Sequence, residues 1–230
     1  MDALMSWLGE LRYETALEIG GVFFAALSGG LAAVRKNFDL FGVLVIAWAA
    51  GLGGGLLRDI LIGATPPVGI SNWRFVLTAV IAGFAIFMLH PSVTRMRRTV
   101  IVLDAWALGF FVLIGTTKGL QFGAGPLASL MVGVLTGIGG GILRDILVGE
   151  VPLVLADRQL YAIPAFLGAA VVVGLWHLEW WNVWLQVSVV LMVSGIRLMS
   201  LRMGWVVPTA GAVLTGRWGS RHRPEHHPER

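Results

Sequence analysis

The 230-residue chain contains no cysteine. That excludes disulfides and any thiolate metal centre, and it leaves the compartment undecided. Charge is nearly as scarce. Only 13% of residues are Asp, Glu, Lys or Arg, against about 25% in a soluble domain. The apolar spans hold no paired His and no Ser-His-Asp set, so nothing argues for a membrane enzyme. His177 stands alone at a helix end. The chain also lacks the basic start of a cleaved signal peptide: MDALMSWLGELRYETALE holds three Glu and an Asp, so no cleavage is expected.

What is present is apolar sequence. Hydrophobic residues make up 57% of the chain, and the mean hydropathy is +0.80. An all-α polytopic membrane protein is expected, with about 20 apolar residues per crossing. Seven transmembrane helices are predicted over about 15–34, 40–63, 75–90, 99–117, 126–149, 160–177 and 183–200. Residues 1–203 form a single membrane domain, and 204–230 a cytoplasmic tail. The tail's RHRPEHHPER reads as disordered, its His lacking fixed metal spacing.

The net charge of +4 resides in loops. One side receives Arg35, Lys36, Arg95, Arg97, Arg98, Arg158, Arg202, Arg217, Arg221 and Arg223; the other receives Arg12, Arg74 and Lys118. The positive-inside rule puts the N-terminus outside and the C-terminus in the cytoplasm. Trp176, Trp180, Trp181 and Trp184 read as an interfacial belt at the last outer loop.

GGGLLRDILIG, from Gly53, returns as GGGILRDILVG from Gly139, an offset of 86 residues. The same register maps Leu17 to Leu103, Glu18 to Asp104, Phe24 to Phe110, Gly29 to Gly115, Gly51 to Gly137 and Pro66 to Pro152. It drifts later, where Trp73 and Arg74 have no counterpart. Repeat one spans about 15–90, repeat two about 99–177, and a seventh helix at 183–200 stands outside them. Three helices per repeat make the second copy enter from the opposite side. Two inverted three-helix repeats of this kind belong to transporters and channels.

The glycines Gly53, Gly54, Gly55, Gly139, Gly140 and Gly141 admit two readings. Each costs about 1 kcal/mol against Ala in a helix. They either let helices pack closely, or kink and unwind the helix so that freed carbonyls face a wet cavity and suit alkali cations. The charges Arg58, Asp59, Arg144 and Asp145 lie toward opposite helix ends. Adjacent residues on a helix do not face each other, so each is expected to find a partner elsewhere. Matched depth and repeat position predict Glu18 with Arg58 at the outer mouth and Asp104 with Arg144 at the inner mouth. Such bridges either brace helices or gate a path. Ser28, Thr116, Thr117 and Lys118 are possible pore-lining residues, although Ser and Thr often bond their own helix and Lys118 is explained by snorkelling.

The doubled GGG-x-x-R-D motif, in two three-helix repeats with a seventh helix, resembles the trimeric intracellular cation channel (TRIC) family, and its prokaryotic members most closely. The same bacterial proteins are also described as glycine-transporter-like. The resemblance covers about residues 15–200. It implies a homotrimer with a pore in each subunit, potassium and some sodium as permeant ions, no cofactor, no nucleic-acid partner, and second and fifth helices kinked at the Gly motifs beside the pore. The plasma (inner) membrane of a prokaryote is the implied location. The animal members' Lys-Glu-Val segment is absent here, so their calcium and lipid regulation does not transfer. The alternative is a secondary transporter of a small solute such as an amino acid. The inverted repeat by itself favours that alternative; the family favours the channel.

Overall fold

The computed structural model describes residues 2–93, 97–156 and 160–205. Among them are nine helices: α1 (Asp2–Arg35), α2 (Leu40–Leu61), α3 (Val68–Ser71), α4 (Trp73–Val93), α5 (Arg97–Gln121), α6 (Pro126–Leu147), α7 (Leu153–Ala156), α8 (Ala162–His177) and α9 (Val183–Met203). Each of the seven expected segments falls on one of α1, α2, α4, α5, α6, α8 and α9. The four-residue helices α3 and α7 were not expected. Each follows a proline, Pro67 or Pro152, which starts a first turn without needing an N–H.

Five helices are long and apolar enough to cross a membrane: Tyr13–Arg35, Leu40–Leu61, Arg98–Gln121, Pro126–Leu147 and Val183–Met203. Trp73–Leu89 and Ala162–His177 are apolar but shorter. At 1.5 Å per residue the 16 residues of α8 cover about 24 Å, less than the ~30 Å hydrocarbon core. The sequence places the end of the fourth helix at 117. The helix continues to Gln121, so Lys118 is a helical residue and not part of a loop.

Helix ends follow local chemistry. The Asp39 side chain accepts the Gly42 N–H at 2.8 Å and caps α2. Its repeat equivalent is Gly125, where α6 instead opens on Pro126. Both helices stop the same way. Gly63 and Gly149 take φ of 71° and 73°, and the following N–H groups of Ala64 and Glu150 reach back to the carbonyls of Asp59 and Asp145, both at 2.8 Å.

The packing pattern is unchanged when the two repeats are exchanged. α1 packs on α2 and α4 as α5 packs on α6 and α8; α2 meets α4 as α6 meets α8; α1 meets α5, and α2 meets α6. One apolar cluster centres on Val22, Ala26, Ala47, Ala79 and Phe111, another on Leu108, Val112, Ala165, Val172 and Val193. α9 packs chiefly on the second half, against α5 and α8; the Tyr13 hydroxyl of α1 also donates to its Val183 carbonyl at 3.4 Å. The repeats differ before their third helix: α3 and α4 are separated by Asn72 alone, whereas five residues stand between α7 and α8, yet the offset of 86 resumes at Phe75 and Tyr161.

Trp180 and Trp184 are exposed, and the Trp176 and Trp181 rings meet edge-on at 5.5 Å. Arg35 and Arg98 are exposed, and Lys36 pairs with Glu150 at 3.0 Å. Arg95, Arg158, Arg217, Arg221, Arg223 and residues 206–230 of the tail lie outside the described residues, as do the side chains of Arg12 and Arg97.

Candidate functional site

Where α2 crosses α6, the contact is made by glycines. A Cβ on Gly54 would fall on the Thr136 carbonyl, and one on Gly140 on the Ala50 carbonyl. Ala50 and Thr136 are themselves repeat equivalents. The two backbones therefore touch reciprocally, which any larger side chain would prevent. Gly53 and Gly139 receive the side chains of Leu143 and Leu57 from the opposite helix. Gly55 and Gly141 face the charges instead: their Cβ positions lie 3.7 Å from Nη2 of Arg58 and of Arg144, respectively. Of the two readings of the glycines, close packing describes Gly54 and Gly140. Unwinding is not seen, since α2 and α6 remain α-helical throughout. The reason is that the partner backbone fills the space the missing side chains leave.

One charge cluster stands at each end of this crossing. In the first repeat, Arg58 is 1% exposed. Its Nη2 lies 2.8 Å from Glu18 Oε1 and 2.7 Å from Asp59 Oδ1, and its Nε donates to Asp59 Oδ1 at 2.8 Å. Asp59 Oδ2 accepts the Val68 N–H at 2.8 Å, which fastens the start of α3. Lys118 Nζ donates to both Glu18 oxygens, at 3.1 and 3.0 Å.

The second repeat builds the same unit. Arg144, also 1% exposed, donates from Nη1 to Asp104 Oδ1 at 2.7 Å and from Nε to Asp145 Oδ1 at 2.8 Å. Asp145 Oδ2 accepts the Leu153 N–H at 2.8 Å, at the start of α7. Here the remaining partners differ. The Tyr161 hydroxyl donates to Asp104 Oδ2 at 2.6 Å, and Ser28 Oγ accepts from Arg144 Nη1 at 2.7 Å while donating to the Val100 carbonyl at 3.1 Å.

Both pairs expected from the repeat, Glu18 with Arg58 and Asp104 with Arg144, are formed. The expectation that adjacent Arg and Asp do not bond is overturned. Side chains at i and i+1 leave the helix in different directions, but the arginine stem is long enough to curl back onto its neighbour's carboxylate. Such charge-assisted bonds, backed by further donors, are what make a buried guanidinium tolerable.

The other candidates divide. Ser28 is fully buried inside the second cluster. The hydroxyls of Thr116 and Thr117 donate to their own helix, to the Val112 and Leu113 carbonyls, both at 2.8 Å. Thr116 packs into the gap at Gly133. Lys118 does not snorkel; it is an ion-pair partner of Glu18.

Three cavities adjoin the clusters. One, of about 20 Å³, is lined by Glu14, Glu18, Thr117, Lys118 and Gln186 among others. One, of about 10 Å³, lies among Glu18, Gly51, Gly55, Arg58 and Phe75. One, of about 20 Å³, lies at the other end, among Arg35, Val100, Asp145 and Glu150. Among the described residues no group of three or more His, Asp or Glu is placed to hold a metal.

Tyr161, Arg197 and Gln186 escaped the sequence reading. Arg197 of α9 is fully buried, lies 4.6 Å over the Tyr161 ring, and donates from Nη1 to the Leu160 carbonyl at 3.2 Å. The available signal was a lone arginine inside an apolar span, which marks a specific role by default.

Comparisons with known proteins match this architecture. The family model described as glycine transporter matches twice, over residues 15–91 and 101–177, two stretches that begin 86 residues apart. A UPF0126 membrane protein of Deinococcus radiodurans is 41% identical over 157 residues, 68% of this chain and 73% of that protein. The UPF0126 inner membrane protein YadS of Escherichia coli K12 is 35% identical over 156 residues, 67% of this chain and 75% of that one. The TRIC trimeric intracellular cation channel orthologue from Rhodobacter sphaeroides superposes with a TM-score of 0.78 at 33% identity, over 84% of this chain and 98% of its own. A structure solved to explain conductance through TRIC cation channels gives 0.76 at 31% identity, over 85% and 96%. The doubled Gly-Gly-Gly–Arg–Asp unit, the duplicated family match and the shared fold together place this membrane protein in the TRIC family, whose sequence model carries the description glycine transporter.

Proposed function

We propose that the protein is a passive channel for monovalent cations, potassium with some sodium, conducted within each subunit beside α2 and α6. The observation that carries this reading is the likeness, above 30% identity over more than four-fifths of the chain, to solved TRIC cation channels. The site fits such a role. A bare arginine at a pore mouth repels cations, and here each mouth arginine is neutralised by two carboxylates. Gly53, Gly54, Gly55 and their counterparts Gly139, Gly140 and Gly141 are the pore-side residues at which the helices bend. With Gly54 and Gly140 in contact the path is closed at mid-length, and conduction requires them to part. Glu18, Arg58, Asp59, Asp104, Arg144 and Asp145 are the mouth charges.

The working unit is a homotrimer in the inner membrane of a prokaryote, with seven crossings per subunit, N-terminus outside and C-terminal tail inside. The halves are inverted. Support for this comes from Glu18, midway along α1, meeting Lys118 near the end of α5, and Ser28, further along α1, meeting Val100 near the start of α5.

One observation favours a second reading. The family model is described as a glycine transporter, and inverted halves also serve alternating access. Both are tested by reconstituting the purified protein and measuring potassium current and solute uptake on the same vesicles. The channel gives ohmic potassium current that is indifferent to glycine. Saturable, gradient-coupled glycine uptake without unitary current sinks it.

A further inference from the structure

We propose that the small cavity beside Arg58 in the first cluster is a site for one held water molecule, which takes the place that the Tyr161 hydroxyl fills in the second cluster. The inference is independent of what the protein conducts.

The two halves pair their arginines alike but surround them differently. Two hydroxyls complete the cluster of Arg144. Ser28 Oγ accepts from its Nη1 at 2.7 Å, and the Tyr161 hydroxyl donates to Asp104 at 2.6 Å. At the repeat-equivalent positions the first half has Ile114 and Phe75, neither with a hydroxyl. The loss shows at Arg58. Its Nε and Nη2 are committed to Asp59 and Glu18, while Nη1 is buried and has no partner among the described residues. Nearly every buried polar group is paired, because an unpaired one bears its full desolvation cost.

The space is open where the hydroxyl is missing. A Cβ on Gly141 would lie 3.1 Å from the Tyr161 hydroxyl. At Gly55, its counterpart, Arg58 Nη2 is the one atom within 4 Å among the described residues, local backbone aside. Arg144 also keeps one unpaired nitrogen, Nη2, but there the tyrosine occupies the gap. Glu18, Gly55, Arg58 and Phe75 all line the cavity of about 10 Å³. That is room for one water and little else.

Polarity selects water as well. Glu18 and Asp59 balance Arg58 and Lys118, so the cluster calls for no ion. A cation would face the N–H of Arg58, and an anion would face two carboxylates. Water can accept from Arg58 Nη1 and donate to Glu18. Oε2 of Glu18 accepts from Lys118 only, among the described residues, and keeps a lone pair. Two polar partners meet the minimum for an ordered water. One half thus completes its arginine–carboxylate unit with protein hydroxyls, the other with a lysine and solvent.

The test is radiolytic labelling of the full-length protein in detergent. X-rays split water where it sits, and the hydroxyl radicals modify adjoining side chains, which mass spectrometry reads. Leu52 and Phe111 line this cavity. Leu52 is as buried as Leu108, which lines none of the three cavities. Leu52 should be modified severalfold faster than Leu108. Equal, slow modification means that the cavity is dry or holds an ion, and overturns the site. Phe75→Tyr supplies the missing hydroxyl and should cut the labelling of Leu52 and Phe111 severalfold. Unchanged labelling in that variant means general wetting of this end and not a water at the hydroxyl's place, which also overturns the site. If the variant fails to fold, the comparison of Leu52 with Leu108 in the unaltered protein decides.

Discussion

The Tyr161 hydroxyl donates to Asp104 at 2.6 Å, and 86 residues earlier the chain has Phe75, equally buried. The two halves thus complete their carboxylates differently. Glu18 is completed by Lys118 from α5, whereas Asp104 is completed by Tyr161, on which Arg197 of α9 rests. α9 therefore reaches the second cluster through one aromatic ring.

Tyr161→Phe should fold, because Phe75 already occupies the equivalent place in the other half. It should lose about 1.5–3 kcal/mol, the worth of a hydrogen bond to a charged group. Thermal unfolding in detergent measures this, with Phe75→Tyr as the reciprocal variant. A loss below about 0.5 kcal/mol would show that Asp104 recruits another donor at no cost.

Arg197→Met removes a cation while keeping most of the stem's packing. A double-mutant cycle with Tyr161→Leu should give a coupling of about 0.5–2 kcal/mol, as for a desolvated cation–π contact. Additive losses would mean that the stacking of Arg197 on the ring is incidental.

The glycines of one motif should not be equivalent. Gly54→Ala and Gly140→Ala place a methyl on a backbone carbonyl that cannot move aside, and should cost about 1–3 kcal/mol as overpacking does. Gly55→Ala meets only the flexible end of Arg58, at 3.7 Å, and should be close to neutral. Gly54→Leu and Gly140→Leu should also reduce potassium flux. Equal melting points for the Gly54 and Gly55 variants would contradict the reciprocal crossing.

Charge reversal at the second cluster should be only partly reversible. Arg144→Glu sets a third carboxylate beside Asp104 and Asp145 and should cost at least about 3–5 kcal/mol. Adding Asp104→Arg should recover part of the loss in stability and flux, while Asp145 keeps an unfavourable neighbour. If the double variant is no better than either single one, the pair does not act as a unit.

Much of this was legible before any coordinates. Apolar runs have to become helices because lipid offers the backbone no hydrogen-bonding partners. A repeat without gaps then implies that whatever Glu18 does near Arg58, Asp104 does near Arg144. Both pairings follow from depth and symmetry. Composition, helix positions and the symmetric pairing were therefore determined by the sequence.

What the sequence left open was decided by proximity between distant segments. Periodicity says which residues share a helix, but not which neighbour presses against a glycine. Only the α2–α6 crossing shows that Gly54 and Gly140 accommodate a carbonyl while Gly55 and Gly141 accommodate charge. Spacing rules for helix faces describe Cβ positions and miss an arginine that bends back to the next residue. Lys118, Tyr161 and Arg197 share no register with the residues they serve, so their roles came from packing alone. The physical reason is that burial and ion pairing depend on three-dimensional neighbours, whereas helix formation depends on the chain's own backbone.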